Sequence, residues 1–273
     1  MKKRISAILG MLLCLTLAQP VAAEEITTSN IDISTQKSVE DLLVEYPDAT
    51  EYIQNVINAY VESGIENIDS YIMDAVNSVR ECKAATQERA KKVQEQTEKR
   101  LENSLISTFS EPYDTMLMNY GLGISLVRAA GCPHAADYME HAIVPEGSSA
   151  SPSKVFHKGD SWAEEIIYCD TIQSSVTNQF ESEILATGAT SGTVSNTVHL
   201  TDSKDMRLAL GHVDYSVTFT KMSNGYQAYY YISDCYDFDW SSYDDVLVGF
   251  GNNYCYAMQQ AGYIKPFDIV ITG

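Results

Sequence analysis

Within residues 232–240 the chain gathers three carboxylates (Asp234, Asp237, Asp239), the Cys235 thiol and the rings of Tyr236, Phe238 and Trp240. Carboxylates two and three residues apart can collect a divalent cation through oxygen ligands. They can also act as proton donor and acceptor when a partner lies within hydrogen-bond reach. Asp234, Tyr236 and Asp237, with His212, are therefore the candidate catalytic residues. Asp234, Asp237 and Asp239 are the candidate ligands of a divalent cation. A plainer account needs no site at all. Asp234 would accept backbone N–H bonds where a turn starts, and Asp244 and Asp245 would sit at a helix N-terminus. The EF-hand pattern fails from Asp237 onward, because Ser242 stands where glycine is needed and Val248 where the bidentate glutamate belongs.

A hairpin must position these residues. Val213, Tyr215, Val217 and Phe219 alternate with polar residues, Ser223-Asn224-Gly225 supplies a turn, and 226–233 follows as the next strand. Asn-Gly between two such strands predicts a two-residue loop. With Asn224 and Gly225 as that loop, Phe219 faces Tyr230, Val217 faces Ile232 and Tyr215 faces Asp234. Further along, His212 comes opposite Asp237. On the other side of the sheet Thr220 faces Tyr229 and Thr218 faces Tyr231. A carboxylate at the edge of an apolar face is costly without a hydrogen bond, a cation or a proton, which singles out Asp234. Tyr215, Tyr229, Tyr231 and Trp240 are the candidate binding residues. Exposed rings there would make a sticky platform for a glycan or a protein, although tyrosine equally suits half-buried strand faces.

Asp234-Cys235-Tyr236-Asp237 resembles the D-x-Y-D signature of the colicin M-type bacteriocins. That family cleaves the lipid-linked peptidoglycan precursor at its pyrophosphate with a metal ion. The resemblance implies an envelope-directed, metal-dependent hydrolase centred on Asp234, Tyr236 and Asp237. It covers about ten residues. The family signature continues with His-Arg five residues on, where this chain has Tyr243-Asp244. An acid at that place repels phosphate instead of engaging it.

Other constellations carry less. His134, Asp137 and His141 share a helical stripe, but the two histidines lie two turns apart and no H-E-x-x-H is present. Gly159-Asp160-Ser161 lacks a preceding strand, and Ser161 serves better as an N-cap. Gly121-Leu122-Gly123 and Gly249-Phe250-Gly251 lack the third glycine and the strand of a phosphate loop.

The supporting elements divide the chain. Residues 38–147 carry the helical period, with an approximate capping box at Ser38 and Asp41 and a stop at Pro47. Residues 86–100 lose the apolar stripe and read as a solvated helix held by i,i+4 ion pairs, or as a partner surface. The helix from Pro112 is apolar nearly all round, which predicts a central buried helix. Residues 148–158 read as a linker. From 159 to 273 a helix reaching about Leu185 precedes a change of period to two. The expected fold class is α+β: a helical N-terminal half, then a mixed sheet of about four strands with the Asn-Gly hairpin and a C-terminal helix and strand.

Met1-Lys2-Lys3-Arg4, an apolar run at 5–18 and the small residues before Glu24 read as a signal peptide, 1–23, cleaved near Ala23. A flexible leader, 24–37, is expected to follow. The net charge of −19 falls to −22 once Lys2, Lys3 and Arg4 leave, which disfavours nucleic acid and anionic lipid as partners. No transmembrane segment is expected in the mature chain. Its five cysteines cannot all pair within one chain. Element placement points to Cys235–Cys255 as a disulfide, and buried free thiols are the alternative. The expected role is a secreted, soluble protein that binds an envelope or extracellular protein or glycan through the end of the 212–240 hairpin. The alternative is the hydrolase.

Overall fold

The computed structural model describes residues 31–102, 113–144, 151–238 and 246–273. Its centre is a five-stranded mixed sheet in the order β1-β5-β4-β3-β2. The strands are β1 (Lys154–Phe156), β2 (Ser191–His199), β3 (His212–Met222), β4 (Gly225–Tyr236) and β5 (Phe267–Thr272). β1 runs parallel to β5, and every other pair is antiparallel. The architecture is α+β, as the change of period implied. The fifth strand, β1, lies inside the stretch read as a linker. At three residues it is too short to show a period.

Helices cover both faces. On one side lie α1 (Ile33–Glu45), a 3-10 turn at Pro47–Ala49, α2 (Thr50–Ser63) and the 35-residue α3 (Ile68–Glu102). Their apolar faces meet Tyr231 and Val270 of the sheet. On the other side lie α4 (Tyr113–Ala129), α5 (Pro133–Ala142), α6 (Ser161–Ile167), α7 (Asp170–Gln179) and α9 (Val246–Gln260). They pack on Tyr215, Val217, Tyr230, Ile232, Ile269 and Ile271. A two-turn helix, α8 (Lys204–Ala209), joins β2 to β3. No helix among the described residues is long and apolar enough to cross a membrane.

Local chemistry explains most boundaries. α1 begins at Asp32, whose carboxylate accepts the Thr35 N–H at 2.7 Å. The expected leader is thus shorter than 24–37, because Asp32 caps the helix before Ser38 can. Ser203 caps α8 through the Met206 N–H. The helix expected to reach Leu185 is broken. α6 stops at Ile167, α7 restarts at Asp170, and a π-helical turn, Phe180–Leu185, closes it. Asp160, not Ser161, occupies the N-cap position of α6.

Two expectations change in a way that bears on the site. The hairpin pairs Met222 with Gly225 and Asp214 with Ser233, so the loop is Ser223-Asn224 and Gly225 opens β4. Gly225 has φ +142°, a conformation that costs glycine little. The register is two residues off the one expected. Each side chain keeps its face, but Tyr215 pairs with Ile232, not Asp234, and Phe219 pairs with Ala228. Secondly, α4 is not buried all round. Met116, Tyr120 and Ile124 face the core, while Met118, Leu122 and Leu126 are exposed.

Candidate functional site

The strongest electrostatic feature lies where α3 crosses the start of β3. Residues 72, 75, 76, 79 and 82 of α3 form its apolar stripe. Continued by helical spacing, that stripe delivers Thr86 and Arg89 to the sheet. The Arg89 guanidinium donates to Asp214 at 2.5 Å, to the His212 carbonyl at 2.9 Å and to Asp234 at 3.1 Å. Asp214 also accepts from the hydroxyls of Thr86 at 2.7 Å and Thr197 at 2.5 Å. Asp214 falls on the α3 side of the sheet by alternation and Asp234 on the other. Arg89 therefore reaches round the end of β3 to bridge the two faces.

One guanidinium neutralises one carboxylate. Asp214 has the shorter contact and two hydroxyl donors. Burial raises the Asp234 carboxyl well above the usual carboxylate range, although Arg89 lowers it; the nearby Asp237 charge adds to the rise. That burial favours the protonated form of Asp234. The partner that a carboxylate at this edge requires is supplied from within the chain. Arg89 stands between the two carboxylates, where a bound cation would otherwise sit.

A second cation, fully buried, lies nearly two turns back on α3. Lys83 is 1% exposed and meets Asp48 at 2.9 Å and Asp268 at 3.3 Å. The Tyr231 hydroxyl donates to the other oxygen of Asp48.

The sequence candidates separate around these networks. His212 stacks on His199, with ring centroids 4.3 Å apart. Burial lowers its basicity, and the neighbouring His199 and Arg89 lower it further. In the observed register His212 would come level with Cys235, so the expected His212–Asp237 pairing does not form. Tyr236 is 6% exposed and packs on Tyr138, Phe238 and Phe267. Burial pushes its hydroxyl well above the ordinary tyrosine value. It is a core residue, whereas Asp237 is half-buried just past the end of β4. Among the described residues no three His, Cys, Asp or Glu side chains are grouped to hold a metal ion, and Asp239 lies outside them.

The aromatic platform is not assembled as expected. Tyr231 is fully buried, and Tyr215 is buried with its hydroxyl bonded to Ser175 and Gln179. Tyr229 is half-buried against the α1–α3 layer. Alternation left the Tyr229–Tyr231 face of β4 open to solvent as a candidate, but the α1–α3 layer covers it. Trp240 lies outside the described residues. Cys82, Cys132, Cys169, Cys235 and Cys255 are all free, so the expected Cys235–Cys255 bridge is not formed.

What the end of the hairpin does offer is a cleft of about 300 Å³. Gln87, Ala90, Lys91 and Gln94 line it from successive turns of α3. Opposite them lie Asp237, Phe238 and Tyr256, with Asp268 linking the cleft to Lys83. Gln259 of α9 holds the chain as it leaves β4 by accepting the Phe238 N–H at 3.0 Å. The cleft thus mixes amide donors and acceptors, two carboxylates and an ammonium with aromatic surface.

The chain matches no family model, no curated protein and no solved structure.

Proposed function

We propose that this is a secreted binding protein that takes an envelope or extracellular glycan or peptide at the end of the β3–β4 hairpin. The observation that carries the proposal is the cleft between α3 and the exit of β4. Its amides and carboxylates can satisfy hydroxyl or amide groups, and Phe238 and Tyr256 can pack an apolar edge. The hydrolase reading, centred on Asp234, Tyr236 and Asp237, draws on the raised Asp234 carboxyl alone. Against it stand the burial of Tyr236 and the tie of Asp234 to Arg89. A general acid must reach the substrate's leaving group, and the cleft is lined by Asp237 and not by Asp234.

Ala90→Trp would fill the cleft from a half-exposed helix position. Sedimentation with insoluble peptidoglycan, and titration with soluble muropeptides followed by NMR, should show binding by the parent and at least a tenfold loss in this variant. Equal binding by parent and variant would refute the cleft as the site. Cleavage of a lipid-linked peptidoglycan precursor at its pyrophosphate, abolished by Asp234→Asn, would favour the hydrolase instead.

A further inference from the structure

α4 is more apolar than its place in the fold requires. Met116, Tyr120 and Ile124 suffice to seat it on the core, yet Met118, Leu122 and Leu126 stand 62%, 59% and 71% exposed on its outer side. Their spacing of four residues puts them on one stripe. Thr115 and Ala129 extend that stripe at either end. Residues 115–127 include no charged residue, in a chain whose net charge is −19. The flanking Arg128 is already engaged by Asp137 at 2.7 Å and Glu140 at 3.0 Å.

The stripe is also symmetric about Leu122. Met118 and Leu126 lie four residues to either side, Asn119 and Ser125 three, Gly121 and Gly123 one. Neither glycine is demanded by packing inside the chain. A Cβ at Gly121 would meet nothing within 4 Å, and one at Gly123 would meet only the Met139 side chain at 3.9 Å. Glycine within a helix is unfavourable unless something else needs it. Gly121 and Gly123 lie about 100° round the helix on either side of Leu122, so their missing side chains leave both flanks of the stripe open.

We infer that α4 is the interface of a homodimer, in which two copies pack antiparallel across a two-fold axis at Leu122. An isologous interface requires one patch that complements itself. Antiparallel pairing sets Leu122 on Leu122, Met118 on Leu126, and the Asn119 amide beside the Ser125 hydroxyl. Two strongly acidic copies repel one another over most approaches, and a face without charge is where they can close. An anionic bilayer is a poorer occupant, because the net charge opposes it and Arg128 is committed to its own acids. One helix of 17 residues gives an interface at the small end of the specific class, about 1,000 Å² in total. The dimer should therefore exchange with monomer in the micromolar range.

Sedimentation velocity on the purified chain, run from low to several hundred micromolar, tests this. A concentration-dependent dimer is expected, and Leu122→Lys, which sets two ammonium groups on the axis, should leave it monomeric with an unchanged circular dichroism melt. Leu122→Cys should form a disulfide-linked dimer on mild oxidation. A mixture of Thr115→Cys and Ala129→Cys chains should cross-link where Thr115→Cys alone does not. A parent that stays monomeric throughout, or a dimer indifferent to Leu122→Lys, would overturn the inference. So would flotation with phosphatidylcholine vesicles that Leu122→Lys abolishes while no dimer is seen.

Discussion

Asp214 and Asp234 share one guanidinium, and they should respond differently to the loss of a charge. Asp214→Ala removes the closer carboxylate partner of Arg89 and an acceptor of the Thr86 and Thr197 hydroxyls, of which Thr86 keeps the Ser233 carbonyl at 3.4 Å. Breaking such a pair costs about 3 kcal/mol, and the partial exposure of Arg89 places it at the lower end of that range. Asp234→Asn replaces an acid whose protonated form burial favours by its neutral isostere. Because the folded carboxyl titrates above the unfolded one, the stability contributed by Asp234 is fully present below the ordinary carboxylate value. It is lost as pH rises through the folded value. The Asn variant should therefore lose ground to the parent at pH 4 and gain on it at pH 8, as urea midpoints at the two pH values would show. A variant that tracks the parent at both would mean that Asp234 is ionised in the folded chain. The sequence singled out Asp234 correctly as a carboxylate in need of a partner. It did not reveal the partner, since Arg89 is 145 positions away and lay within a run of bases and acids. The signal was present in the helical phase of Cys82, Thr86 and Arg89. It was masked because Thr86 and Arg89 are polar and so did not count toward an apolar stripe.

Elements were legible where a local rule decides them. Gly64 and Gly131 end α2 and precede α5 in left-handed conformations, and Ser203 caps a helix that its neighbours alone would barely support. The hairpin itself was legible too, and its register was not. Asn-Gly can place its glycine inside the loop or just after it, and the choice moves every pair by two residues. Since Gly225 now opens β4 at φ +142°, Gly225→Ala forces an L side chain into a disfavoured region. A loss of about 1 kcal/mol is expected, whereas Asn224→Ala should cost less, as Asn224 has a negative φ. Thermal unfolding of the two variants side by side would test the assignment of the loop, and the opposite ranking would return the register to the one that the dipeptide suggested. β1 escaped notice for another reason: a three-residue parallel strand owes its existence to β5, more than a hundred residues later.

For the whole molecule, the helical half and the sheet are joined by two unlike seams. The layer of α4 to α9 meets the sheet through apolar side chains. The layer of α1 to α3 meets it largely through hydroxyls. Tyr52 bonds Thr218 at 2.6 Å, Ser78 bonds Ser216 at 2.7 Å and Tyr60 bonds Ser191 at 3.0 Å, all out of solvent. Composition and period could not show this, because serine and threonine alternating along β3 are the pattern of a wet face. Removing one partner of a buried hydrogen bond costs more than removing both. Ser216→Ala should therefore destabilise by about 1–2 kcal/mol, and the Ser78→Ala/Ser216→Ala pair by less than the two single changes combined. Additive costs in that cycle would show the bond to be incidental. The two seams imply two kinds of mechanical failure. Greasy contacts have no direction, so the α4–α9 side can creep under load and reseat, as a ductile joint does. The hydroxyl seam has only one alignment, because Tyr52 and Tyr60 of α2 and Ser78 of α3 meet their partners together, and a slip of either helix by one turn orphans the bonds it carries. That side is brittle: it holds its position until it breaks.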